Sequence, residues 1–101
     1  RQEGNLNLPQ TFGLAQNYPN PFNLQTAIRY QIPQDCRVTL EVYNLLGQKV
    51  RTLVNGEQKA NYYTAYWNGK DAEGKEISSG IYFYTLKAGS FTQTRKLVIL
   101  K

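Results

Sequence analysis

Apolar residues recur at every second position through most of this chain, and nowhere do they hold a 3.6-residue period for ten residues. Ile28, Tyr30 and Ile32 fall on one side of a segment whose other side carries Arg29 and Gln31. Pro33 then ends that segment by removing a ladder donor. Val38, Leu40 and Val42 alternate with Thr39, Glu41 and Tyr43, and Tyr63, Ala65 and Trp67 alternate with Tyr62, Thr64 and Tyr66. Each such strand has one face to hide, and two packed sheets are the simplest way to hide many of them.

Turn chemistry divides the strands. Asn44-Leu45-Leu46-Gly47, Asn55-Gly56, Asn68-Gly69 and Lys87-Ala88-Gly89-Ser90 read as turns, and Val50 with Leu53 as a short strand or bulged segment. Gly80 opens the run from Ile81 to Leu86, which is apolar on both faces and so expected at the centre of a sheet. Leu97-Val98-Ile99-Leu100 is also apolar on both faces and is expected to be covered on both. Residues 1–16 read as a linker or partly docked segment, with a short strand at Leu6-Asn7-Leu8 that Pro9 stops. In the stiff stretch that follows, Pro19 and Pro21 fix φ, and Tyr18 and Phe22 are expected to plug one end of the core. The expected fold is an all-β, Ig-like two-sheet sandwich of about seven short antiparallel strands over residues 17–101.

Composition removes whole classes of chemistry. The 101 residues contain no histidine and one cysteine, so His-based acid–base catalysis, a Ser-His-Asp triad, a His/Cys zinc site and an internal disulfide are excluded. Cys36 is expected to be a free, partly buried thiol without a catalytic base. Glu41, Glu57, Glu73 and Glu76 form no motif for paired-carboxylate catalysis, and no cofactor is expected. The formal charge is +5, but the basic residues are dispersed and match no nucleic-acid motif. No apolar run is long enough to span a bilayer as a helix. The opening Arg1-Gln2-Glu3-Gly4, without methionine or an apolar signal segment, suits a fragment of a larger polypeptide or a mature product, and leaves room for a signal peptide upstream.

Three groups are candidates for more than packing. Trp67 and Tyr82 are expected core anchors, the indole N–H finding a neighbouring carbonyl. Gly69, Asp71 and Gly74 suit a tight polar turn in which Asp71 accepts backbone N–H groups, while a calcium loop would need more oxygen ligands in order. Tyr62 and Tyr66 share the face opposite Trp67 at roughly 13 Å and offer an alternative platform for stacking sugar rings.

The ordered blocks of the chain carry a stronger signal. Asn17-Tyr18-Pro19-Asn20-Pro21-Phe22-Asn23 resembles the QNYPNPFN opening of the C-terminal sorting domains of the type IX (Por) secretion system, type A. Thr26 to Pro33 is similar to that family's TxIxYxLP strand, and Val38 to Val50 to its VxLxVYNxLGQxV block. Trp67 to Gly74 resembles WDGxDxxG, Ser79 to Tyr84 resembles SGxYFY, and Lys96-Leu97-Val98-Ile99-Leu100-Lys101 resembles the closing KxxLLK. The central blocks are more distantly similar to the Ig-like domain of the flagellar hook-capping protein. Leu24, Asn61 and Asn68 depart from the family pattern, the last weakening a carboxylate-capped turn.

The resemblance implies a non-catalytic module at the C-terminal side of a larger secreted protein of Bacteroidetes and related bacteria. Its implied partners are the outer-membrane secretion and processing machinery and an N-terminally attached cargo domain, often an enzyme. It implies passage through the periplasm to the cell surface or medium, followed by cleavage or surface attachment. Residues 96–101 would be the sorting signal. A carbohydrate-binding or adhesion module is the alternative.

Overall fold

Each alternating segment becomes a strand in the computed structural model, which describes residues 8–101. In chain order these are β1 (Gly13–Leu14), β2 (Thr26–Ile32), β3 (Cys36–Tyr43), β4 (Lys49–Gln58), β5 (Asn61–Trp67), β6 (Gly80–Ala88) and β7 (Phe91–Ile99). A three-stranded sheet runs β1-β2-β5 and a four-stranded sheet runs β4-β3-β6-β7, with every pair antiparallel. This is the expected Ig-like sandwich. The short strand expected at Leu6-Asn7-Leu8 falls, apart from Leu8, outside the described residues.

The core follows the alternation. Ile28, Tyr30 and Ile32 of β2 and Trp67 of β5 meet Val38, Leu40 and Val42 of β3, Tyr82, Tyr84 and Leu86 of β6, and Leu97 and Ile99 of β7. The run from Ile81 to Leu86 is central, flanked by β3 and β7. Gly89-Ser90 closes the β6–β7 hairpin, with Ala88 opposite Phe91.

Three expectations need correction. Asn55-Gly56 does not turn: the two residues sit inside β4, opposite Thr39 and Val38. The partner strand β3 extends past them, so the ladder continues. The chain instead reverses near Ala60, whose N–H donates to Asp35 Oδ1 at 2.9 Å. Tyr18 does not plug the core but is 80% exposed. Its backbone exchanges two 2.9 Å hydrogen bonds with Ala27, and only Phe22 is buried. Finally, the terminal apolar run is covered on one face only. Leu97 and Ile99 point into the core, whereas Val98 is half-buried and Leu100 exposed, because no layer of the described residues lies over the outside of the four-stranded sheet.

The reading of Val50 and Leu53 holds in its bulged form. Register shifts leave Leu53 between Val54, opposite Leu40, and Thr52, opposite Glu41; Val50 likewise lies between Arg51, opposite Val42, and Lys49, opposite Tyr43. An extra residue at a bulge breaks period two and increases twist.

Candidate functional site

β7 is the rim of the four-stranded sheet and would expose a row of unpaired backbone groups if left bare. Residues 16–23, the proline-rich block, cover it. Gln16 Nε2 donates to the Lys96 carbonyl at 2.7 Å, and the Val98 N–H donates to Asn20 Oδ1 at 3.0 Å. Phe22 N–H donates to the Val98 carbonyl at 3.1 Å and its carbonyl accepts the Leu100 N–H at 2.9 Å, a parallel bridge beside Ile99. Further along, Arg95 Nε donates to the Leu14 carbonyl at 2.6 Å. The first and last blocks of the sequence thus form one structural unit.

A buried polar network holds that unit in place. The Tyr84 hydroxyl donates to the Ala15 carbonyl at 2.7 Å and accepts the Asn17 N–H at 2.8 Å. Burial pushes the Tyr84 phenol up from its ordinary pKa, against the opposing effects of the Asn17 bond and the Arg95 charge. Asn17 Nδ2 donates to Thr26 Oγ1 at 3.0 Å and to the Pro19 carbonyl at 3.2 Å, and Thr26 Oγ1 donates to the same carbonyl at 2.8 Å. The Tyr18-Pro19 and Asn20-Pro21 peptide bonds are both cis. No buried side-chain nitrogen or oxygen among the described residues lacks a partner.

The Trp67 turn abuts the same end of the sandwich. The Phe22 ring lies 5.7 Å from that of Trp67, which meets Tyr82 edge-on at 6.4 Å. Trp67 Nε1 donates to the Lys70 carbonyl at 2.9 Å, the neighbouring carbonyl its burial requires. Gly69 has a φ of +73°, and a Cβ there would stand 3.5 Å from the Phe22 ring. A left-handed backbone therefore matters more at this position than space.

Asp71 Oδ1 accepts the Glu73 and Lys75 N–H groups, both at 2.9 Å, and Gly74 has a φ of +85°. The backbone bond from Lys75 is the main cause of the lowered Asp71 pKa. Asn68 Oδ1 accepts the Lys70 N–H at 3.1 Å, so an amide oxygen caps the turn where the family pattern has a carboxylate. Among the described residues no three Cys, Asp or Glu side chains gather to hold a metal ion.

The terminal block divides into buried and readable positions. Leu97 and Ile99 belong to the core, while Lys96, Val98 and Leu100 take the outward positions. Lys101 donates through its backbone N–H to Ser79 Oγ at 2.9 Å, and its ammonium pairs with the Glu76 carboxylate. That hydrogen bond is the largest cause of the depressed Glu76 pKa. Tyr62 and Tyr66 stand exposed on the outer face of β5, opposite Gln31 and Ala27 across β2. Cys36 is half-buried, and burial followed by Glu57 and Asp35 pushes its thiol up, away from reactivity.

Sequence reasoning singled out the aromatic and proline positions of this site and missed Gln16, Asn17, Asn20, Thr26 and Tyr84, which make its hydrogen bonds. The one signal available was an Asn-rich stretch next to prolines, which reads equally well as a solvated turn.

The molecule is thus a β-sandwich whose two ends of sequence meet in a stapled rim. The family described as the secretion system C-terminal sorting domain matches residues 16–100, and the chain belongs to it. It is a sorting module of the type IX secreted class. Solved structures share the fold. Dimeric latent PorU from Porphyromonas gingivalis superposes with a TM-score of 0.68 at 16% identity, covering 91% of this chain and 10% of that one. PorZ from the same organism, an essential bacterial surface component of the type IX secretion system, gives 0.50 at 16% identity, covering 89% and 11%. FlgD from P. aeruginosa gives 0.58 at 20% identity, covering 89% and 74%. The chain thus spans about a tenth of the length of the PorU and PorZ structures. No curated protein matches it. No helix among the described residues is long and apolar enough to cross a membrane.

Proposed function

We propose that the outer-membrane machinery recognises this module folded, through the outward positions of residues 96–101, while a cargo domain attached upstream is carried across with it. After translocation the module is cleaved or used for surface attachment. The carrying observation is the partition of the terminal strand: its inward side chains are buried and its free edge is stapled, so an unfolded or edge-pairing mode of reading would first have to dismantle the core. Only outward side chains remain for a partner to touch.

The test is export of an attached reporter in a type IX-competent host. Deleting residues 96–101 should abolish it, but that also removes Leu97 and Ile99 from the core. Lys96→Gln with Lys101→Gln keeps the strand, and should reduce export with an unchanged denaturation midpoint. A bulky folded tag after Lys101 should also block export. Normal export of both the truncated and the tagged proteins, with correct processing, would reject the reading.

The exposed Tyr62 and Tyr66 rings support a second reading as a glycan platform. Affinity electrophoresis in polysaccharide gels tests it. Retardation that Tyr62→Ala with Tyr66→Ala removes is the supporting result, and no retardation of the parent protein discards it.

A further inference from the structure

Exposed apolar side chains gather at one end of the four-stranded sheet. Leu45, Leu46 and Ile81 line one groove there. Ile81 is the register partner of Val98, and both point away from the core side that carries Tyr82 and Leu97. Leu100, two residues on, lines a second groove with Leu24, Pro19 and Pro21. An apolar band therefore starts at the β3–β4 turn, crosses β6 and β7 and ends on the staple. Leu24 and Leu46 are 79% and 83% exposed. A contiguous patch of this kind marks an interaction surface, whereas scattered apolar residues would not.

Beside the band on β6 and β7 the charges are one-sided. The outward positions of β6 and β7 carry the cations Lys87 and Lys96 and no carboxylate. On neighbouring β3, Glu41 is engaged by the Tyr43 hydroxyl at 2.7 Å and by Lys49 at 3.3 Å. Glu76, beyond the other end, is shared between Lys101 and Lys70. Glu41 and Glu76 are thus already engaged, Glu73 stands exposed across Asn44 from the first groove, and the charge beside Val98 on β7 is the Lys96 ammonium.

We infer that this band is the docking surface for a folded protein of the secretion route, one that presents apolar side chains bordered by aspartate or glutamate carboxylates. This rests on the sorting reading and extends it, because contact runs beyond residues 96–101 to the β3–β4 turn and to Leu24. Both halves of the surface have a counterpart in such a partner: grooves receive side chains, and the Lys96 ammonium, which pairs with no carboxylate among the described residues, meets a carboxylate of the partner. An anionic lipid surface matches less well, since such surfaces attract clusters of cations and the outward positions of β6 and β7 hold only Lys87 and Lys96.

The test uses the full-length secreted protein in a type IX-competent host. Leu46→Ser with Ile81→Ser lies far in sequence from the terminal block and touches exposed positions. Its export should fall about tenfold or more, with an unchanged denaturation midpoint. Lys96→Glu should lower export by a comparable factor, and Tyr62→Ser with Tyr66→Ser, on the other sheet, should leave it unchanged. A photo-crosslinker at position 81 should give an adduct with an outer-membrane protein during export, and one at position 62 should not. Wild-type export of both Leu46→Ser/Ile81→Ser and Lys96→Glu overturns the inference. So does flotation of the purified protein with phosphatidylglycerol vesicles, or self-association in ultracentrifugation, if Ile81→Ser abolishes it. A protein lacking residues 17–101 separates the two levels of argument. If that protein is still exported the sorting reading fails, and if it is not, normal export of the band variants counts against the band alone.

Discussion

The two rims of the sandwich are closed by different means. On one side, backbone from residues 16–23 pairs with β7 and a buried Tyr84–Asn17–Thr26 network holds it there. On the other side β4 and β5 pair with no further strand among the described residues. There the sheets are linked by side chains. Tyr30 donates its hydroxyl proton to Gln58 Oε1 at 2.7 Å, and Arg51 reaches the Lys70 carbonyl at 3.1 Å. β4 carries edge protection of its own in two bulges and the charges of Lys49, Arg51 and Glu57, whereas β5 has no charged residue and no proline. The rim bearing the terminal block is the one most shielded against strand addition. Accidental pairing is instead a hazard of β5.

Breaking each rim should have graded consequences. Phe22→Ala removes the only buried ring of the staple and should cost about 3–5 kcal/mol in chemical denaturation, as should Trp67→Ala on which it packs. A near-wild-type midpoint for either variant would show that the ring is not a core member. Asn17→Ala takes a donor from Thr26 and Pro19 and should cost about 1–3 kcal/mol. Amide exchange at Val98 and Leu100 should quicken in the same variant if the network holds the staple down, and unchanged exchange would uncouple the two. Asn20→Ala leaves one Val98 N–H facing water and should cost only about 1 kcal/mol, with faster exchange at that amide alone.

Acid should act at the Trp67 turn. Backbone bonds lower the Asp71 pKa in the folded state, so its contribution is fully present above the ordinary carboxylate pKa of about 4 and is lost as pH falls through the depressed value. Asp71→Asn should flatten the fall of the thermal midpoint in acid, and an unchanged acid limb would assign it to Glu76 and Glu41, whose pKa values are also lowered. The smallest effect belongs to the open rim. Tyr66→Lys adds an edge charge at an exposed position and should shift stability by no more than about 0.5 kcal/mol, while reducing self-association at high concentration in light scattering. Greater self-association in this variant would show that β5 is not the adhesive edge.

Apart from β1, which lies in the stretch read as a linker, the strands, the core side of each, the central place of β6 and the anchoring role of Trp67 were legible in the sequence, because alternation is a local property and a sandwich has only one dry side per sheet. Asn55-Gly56 misled because a dipeptide favours a turn only where no partner strand carries the ladder onward, and β3 does. The outward half of the terminal strand was misjudged for a similar reason: whether Val98 and Leu100 are covered depends on what lies above them. The staple needed tertiary structure altogether. Asn17 is an ordinary loop residue until the fold brings Thr26 and the Tyr84 hydroxyl to it. Local periodicity and propensity determined the strands and their inward faces. Which edge was sealed, and which apolar residues were left outside, depended on contacts between segments far apart in sequence, whose energies exist only once the sheets have packed.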